Sequence, residues 1–169
     1  MPFARWWRHI TASHWRTRRK FPSATLDAIE AAIAAAERTH AGQICFAIET
    51  ALTPRQLYRG LQPRQRAIEV FGTLRVWDTE RNNGVLVYVQ LADRQVDIVA
   101  DRGFGARVAD SEWESVCRLM EQHFRAGRYR DGALAGIQAI ADLLTRHFPV
   151  DATDRSLPGN ELPDRPRLL

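Results

Sequence analysis

Apolar side chains recur along this chain in two rhythms, one of strands and one of helices. Val85, Leu86, Val87, Tyr88 and Val89 form an unbroken β-branched and aromatic run between Gly84 and Ala92. A run apolar at every position predicts a strand covered on both faces. Val96, Ile98 and Ala100 then alternate with Asp97 and Val99, which predicts a second strand. Only Ala92-Asp93-Arg94-Gln95 separates the two, a connection short enough only for an antiparallel pair. The hairpin therefore sets Asn82, Asn83 and Gly84 beside Asp101, Arg102 and Gly103 at one edge of a sheet.

Ile44 to Ile48 reads as an earlier strand. Thr53-Pro54 starts a helix that Pro63 interrupts and that resumes through Ala67, Ile68, Val70, Phe71, Leu74 and Trp77. Strand, helical crossover and strand make a βαβ unit, so 44–48 and 85–90 are expected to run parallel. Leu26, Ile29 and Ile33 mark a helix from Ser23 or Thr25 to about Thr39. Trp113, Val116, Cys117, Met120 and Phe124 mark another, with Ser111 and Glu114 as its capping box. A last helix follows Asp131-Gly132 and stops at Pro149. The fold class predicted is α/β: a three-layer α/β/α sandwich around a small mixed sheet, built from the βαβ unit and the antiparallel hairpin.

The first twenty residues differ in character. Phe3, Trp6, Trp7 and Ile10 follow i, i+3, i+4, i+7 spacing, and Trp15 extends the stripe loosely. Arg5, Arg8, Arg16, Arg18, Arg19 and Lys20 accompany them without an acid. Residues 21–149 hold fifteen arginines against sixteen acids, so the formal charge of +4 resides at the N-terminus. Three organisational units are expected: a basic Trp-rich helix over 1–21, an α/β domain over 22–149, and a disordered tail over 150–169 with Pro158, Pro163 and Pro166. The helix suits an interfacial position on anionic lipid, with Trp6, Trp7, Arg8, Trp15, Arg18 and Arg19 as the contacts. It also suits stacking on nucleic acid, the least favoured partner, or simple packing of the Trp stripe onto the domain.

No run of apolar residues reaches the roughly 18 of a membrane span, and the basic N-terminus lacks a signal peptide's apolar core. A cytoplasmic place is expected, peripheral at the inner membrane. Cys45 and Cys117 are far apart and fall on apolar positions, as small core residues do.

Candidate chemistry gathers at the hairpin edge. Asp78, Asn82, Asn83, Asp101 and Asp110 offer the hard oxygen donors that Ca²⁺ or Mg²⁺ prefers. Asp78 also sits at a helix C-terminus, where negative charge is disfavoured and a cation would help. Arg75, Arg81 and Arg102 offer the other outcome, a solvated cluster of salt bridges. The opposite edge, with Glu49, Thr50, Thr53 and Asp93, is the second candidate, since α/β ligand sites favour the carboxyl ends of parallel strands. Phosphate-loop, zinc-protease and hydrolase-elbow motifs are absent from the sequence.

Four segments occur in a fixed order: GQICFAIE (42–49), NNGVLVYV (82–89), VDIVADRGF (96–104) and FRAGRYRDGALAGI (124–137). Together, over roughly 38–148, they resemble the TPM domain family, here in its short bacterial form. The resemblance implies a mixed sheet flanked by helices. It also implies two activities seen among members: acid phosphatase action in plants, and divalent-metal binding, notably calcium, near acidic loop residues. Many bacterial members are exported or carry a transmembrane tail; this sequence has a Trp/Arg-rich extension instead, and its RVWDTERNNG lead-in (75–84) departs from the Gly/Lys-rich turn of exported members.

The expected function is a TPM-like binding or assembly module at the cytoplasmic membrane surface, its partner the membrane or a membrane-bound relative. The alternative is a metal-dependent phosphatase using the acidic hairpin edge.

Overall fold

The computed structural model describes residues 3–149 and 159–169. Its centre is a four-stranded sheet: β1 (Gln43–Glu49), β2 (Gly84–Gln90), β3 (Gln95–Ala100) and β4 (Arg167–Leu168), in the order β3-β2-β1-β4. β1 and β2 are parallel, with Gln43 beside Gly84 and Glu49 beside Gln90. β2 and β3 are antiparallel, with Val85 opposite Ala100. Every residue of β1 and β2 is buried, the outcome expected for strands with helices on both sides.

The pleat divides these strands between two cores. Ile44, Phe46, Ile48, Val85, Val87 and Val89 face α3 (Ser23–Ala36), α6 (Asp110–Arg125) and α7 (Tyr129–His147) in the larger core. Cys45, Ala47, Leu86 and Tyr88 face Ala67 and Val70 of α5 (Pro63–Thr73) in the smaller one. The result is the α/β/α layering that the periodicities predict. A short α4 (Pro54–Tyr58) precedes α5, with Thr53 capping and Pro54 in its first turn. Burial pushes the Cys45 and Cys117 thiols up to about 11 and about 12, so both are neutral core groups.

Three local expectations are corrected. The single helix expected near the N-terminus is two, α1 (Phe3–Ile10) and α2 (His14–Lys20). They break where Ser13 caps α2 by accepting from the Trp15 N–H. The capping side chain of α6 is Glu112, whose Oε2 accepts from the Ala109 N–H at 3.0 Å, because the helix starts one residue earlier than Ser111.

The third concerns the tail, expected to be disordered over 150–169. Residues 150–158 lie outside the described residues, but 159–169 are held on the domain. Gln43 Oε1 accepts from the Glu161 and Leu162 N–H groups at 2.8 and 3.2 Å. Leu162 enters the smaller core. Arg165 reaches Asp27 and Glu30 at 3.0 and 2.6 Å. β4 then adds to β1 in parallel, and the Leu169 N–H donates to Ile48 O. Pro163 and Pro166, two of the prolines that suggested disorder, instead lie in a segment that runs along a strand edge that needed a partner.

Glu37 lies just before β1 and gives the domain a pH response. Burial pushes its carboxyl from 4.5 up to about 7, although its Oε1 accepts from the Ile44 N–H. A raised acid stabilises the fold most below its unfolded value and loses that contribution as pH rises through the folded one. This contribution is therefore expected to fall between about pH 4.5 and 7, against the opposite slope of buried His40, whose imidazole burial pushes down to about 4. In urea melts across that range, the stability of Glu37→Gln should rise more steeply with pH than that of the unaltered chain.

Candidate functional site

The hairpin edge forms as expected. The Asp101 N–H donates to Gly84 O at 2.9 Å and the Gly103 N–H to Asn82 O at 2.8 Å. Two glycines permit this closeness. A Cβ on Gly84 would lie 2.0 Å from Val76 O, and one on Gly103 would lie 2.3 Å from Asn82 O.

The five proposed donors diverge in use. Asp78 pairs with Arg75 at 2.6 Å. Asn82 Oδ1 accepts from Arg102 Nε at 2.9 Å. Asp101 Oδ1 accepts from the Arg102 N–H at 2.7 Å. Asn83 donates through Nδ2 to Ala41 O. Asp110 starts α6 and shares with Asp101 a cleft of about 680 Å³ along β3, which Arg102 and Arg118 also line.

Among the described residues, Asn83 Oδ1 and Asp101 Oδ2 are buried side-chain oxygens of the hairpin edge left without a partner. Two oxygens fall short of the six to eight of a calcium site. Among the described residues no group of three or more His, Cys, Asp or Glu side chains is placed to hold a metal ion. The donor set, with arginines engaged at Asp78 and Asn82, does not fit a divalent cation. His40 is buried close by; its Nδ1 accepts from the Gly42 N–H at 3.1 Å. Burial pushes it down to about 4, so it is neutral at physiological pH.

The opposite edge, at the carboxyl ends of β1 and β2, is covered by α1 and α2. Asp93 in the hairpin turn is the anchor. Arg5 contacts both its carboxylate oxygens, through Nε at 3.1 and 3.2 Å and through Nη2 at 2.9 Å. Arg8 Nη2 lies at 3.4 Å and His9 Nε2 at 3.1 Å. Burial works against this charge, but His9 and Arg5 outweigh it and hold the carboxyl well below the usual range.

The same helix face makes further contacts. Arg5 Nη2 donates to Leu61 O, Arg8 Nε donates to Ala92 O, and His9 Nδ1 accepts from the Leu52 N–H. On α2, Thr17 and Thr50 hydroxyls meet at 2.8 Å in a buried contact. Beneath them Glu49 is buried, gripped by Arg66 at 2.9 Å and by the Tyr88 hydroxyl. Burial and the Glu49 charge push the Tyr88 hydroxyl far up, so it stays a donor.

This docking inverts the usual logic of an amphipathic helix. Arg5, Arg8 and His9, spaced i, i+3, i+4, turn inward. Phe3, Trp7 and Ile10, spaced i, i+4, i+7, turn outward and are 82%, 61% and 60% exposed. Trp15 on α2 is 66% exposed, with the Arg19 guanidinium 5.7 Å from its ring. Trp6 is half-buried, and Arg18 is exposed. Of the residues proposed for membrane contact, Trp7, Trp15, Arg18 and Arg19 are free to meet a partner, while Arg8 is partly committed to the domain. Arg5, His9 and Asp93 were not foreseen as a unit. The signal was the i, i+4 pair of Arg5 and His9 on α1 and the lone acid in a hairpin turn.

No helix among the described residues is long and apolar enough to cross a membrane. A comparison with curated proteins gave no match. The chain is similar in structure to the BA42 protein of the psychrophilic bacterium Bizionia argentinensis, solved by NMR: TM-score 0.75 and 27% identity, covering 88% of this chain and 95% of that one. It is similar in fold to the N-terminal domain of a P. gingivalis protein, with TM-score 0.52 and 20% identity over 69% of this chain and 73% of that one. The family model of the TPM domain matches residues 19–143, which hold β1 to β3, most of both cores and the hairpin edge, and the chain therefore belongs to the TPM domain family.

Proposed function

We propose that this TPM domain is a binding or assembly module that docks on the anionic surface of a membrane through the outward face of α1, at the cytoplasmic side. The observation that carries the reading is the orientation of that helix. A helix that spends its charged face on the domain and leaves Phe3, Trp7 and Ile10 in solvent exposes contiguous apolar surface, which usually marks an interaction site. Aromatic side chains favour the headgroup boundary of a bilayer, and exposed Arg18 and Arg19 supply attraction to anionic lipid at about 1 kcal/mol each near the surface. The matched family region begins at residue 19, so this face is carried by a segment almost wholly outside it.

The test is co-sedimentation with vesicles of phosphatidylglycerol in phosphatidylcholine, beside vesicles of phosphatidylcholine alone. The full chain is expected to bind the anionic vesicles with a blue shift of tryptophan fluorescence. Phe3→Ala/Trp7→Ala is expected to weaken that binding by about ten-fold or more, since each side chain removes a large apolar contact. The two positions are exposed, so the fold should survive. Equal binding by the double variant, or no preference for anionic lipid, would overturn the reading.

A further inference from the structure

A cleft of about 650 Å³ lies between α2 and the start of α7. Arg16, Arg19, Lys20, Arg128 and Arg130 line it, against the single acid Asp131. Several arginines elsewhere in this chain meet acids: Arg5 with Asp93, Arg66 with Glu49, Arg75 with Asp78, Arg125 with Glu121, Arg165 with Asp27. The five cations of the cleft take no carboxylate partner among the described residues.

Their neighbours position them without neutralising them. Lys20 Nζ sits 5.0 Å from the Tyr129 ring centre, and Arg19 stands over Trp15. Arg128 Nε donates to His123 Nδ1 at 3.4 Å. Tyr129 is itself fixed by stacking on Phe124 at 5.4 Å. Like charges held together in this way repel, and an anion of two or more charges relieves that repulsion. The first turn of the nineteen-residue α7 adds to the same field. Its backbone N–H groups have no side-chain cap at Arg128, and they form the positive end of the helix dipole. The volume is that of a small-molecule site.

We propose that this cleft binds a phosphate group carrying at least two negative charges, the chemistry shared by a phosphomonoester lipid headgroup and a soluble phosphate ester. Guanidinium groups match phosphate oxygens in paired hydrogen bonds, and four of the five cations are arginines. Arg19 apart, the site uses other residues than the membrane contact proposed above, and it stands whether or not the outward face of α1 meets a membrane.

Calorimetric titration of the full chain with inorganic pyrophosphate tests it. Saturable binding that weakens with added salt is expected, because exposed charges are screened within about 8 Å at physiological ionic strength. Arg128→Glu/Arg130→Glu is expected to weaken it by about ten-fold or more. Arg55→Glu/Arg59→Glu changes charge equally on exposed residues in and just after α4, away from the cleft, and is expected to leave binding within about two-fold. Circular dichroism should show both variants folded, since all four side chains are exposed. Absence of binding to the unaltered chain, or equal weakening by both variants, would overturn the proposal. Vesicles containing phosphatidic acid separate the sources. Binding displaced by pyrophosphate and lost in Arg128→Glu/Arg130→Glu assigns the cleft to a lipid headgroup. Pyrophosphate binding with vesicle association unaltered in that variant assigns it to a soluble ester. Phe3→Ala/Trp7→Ala should retain pyrophosphate binding in either case.

Discussion

Replacing Asp93 with alanine is expected to release the α1–α2 pair from the domain and to destabilise the chain by about 3 kcal/mol or more. The carboxylate is 7% exposed and meets Arg5, 14% exposed, and His9, fully buried. Removing it leaves a guanidinium and an imidazole inside the interface without their acid, which costs more than the lost attraction alone. Arg8, 46% exposed, contributes little to that total. Limited tryptic digestion gives the readout, because Arg16, Arg18, Arg19 and Lys20 lie on α2. The variant should be cut there faster than the unaltered chain while residues of α3 onward stay protected. The pH dependence has a definite sign. A depressed carboxylate contributes its full stabilisation above the ordinary value of 3.8 and loses it as pH falls through the folded value. The unaltered pair should therefore stay docked down to below about pH 3.8 and release only in stronger acid. Release of the pair in the unaltered chain at pH 5 to 6 would show that Asp93 is not the fastening group.

Arg66→Leu is the second large effect, at about 3–5 kcal/mol. Glu49 ends β1 with its side chain 7% exposed, and Arg66 on α5 is its cationic partner, through contacts of 2.9, 3.0 and 3.2 Å. Without that partner the buried carboxylate retains the Tyr88 hydroxyl and no positive charge. The double variant Glu49→Gln/Arg66→Leu should recover part of the loss, because a neutral amide can still meet the Tyr88 hydroxyl. Denaturant melts of the single and double variants form the cycle. Equal destabilisation of the two would mean that packing of the Arg66 stem, rather than an unpaired charge, carries the effect. The pair also explains why the carboxyl edge of the sheet is not an open ligand site: Glu49 is sealed from below by Arg66 and from above by the helices fastened to Asp93.

Much of the architecture was legible in advance. Val85 to Val89 could only be a strand covered twice, and the brevity of 92–95 required the antiparallel partner that β3 became. The ordered segments from 42 to 137 pointed to the family that the match over 19–143 establishes. The candidate sites were less legible. Asp78 and Asn82 were counted as metal donors, but composition cannot tell a ligand from a salt-bridge partner when arginine is interleaved with it. Here Arg75 and Arg102 stand at those oxygens.

Two outcomes were decided only by the folded chain. The first is which face of α1 packs. Periodicity locates an apolar stripe but not its destination, and the usual inference turns the stripe inward. Asp93, more than eighty residues away in sequence, reverses it by presenting a buried charge that Arg5, Arg8 and His9 of α1 meet. The second is the charge of the α2–α7 cleft. Arg16, Arg19 and Lys20 come from one end of the chain and Arg128 and Arg130 from the other, so no local window of sequence contains the cluster. Side-chain periodicity and loop length, within a few dozen residues, were enough for β1 to β3, the hairpin, the parallel crossover and the layers. The inverted helix, the docked tail and the basic cleft came from the folded chain alone, because each depends on charges or backbone groups that are brought together from distant parts of the sequence.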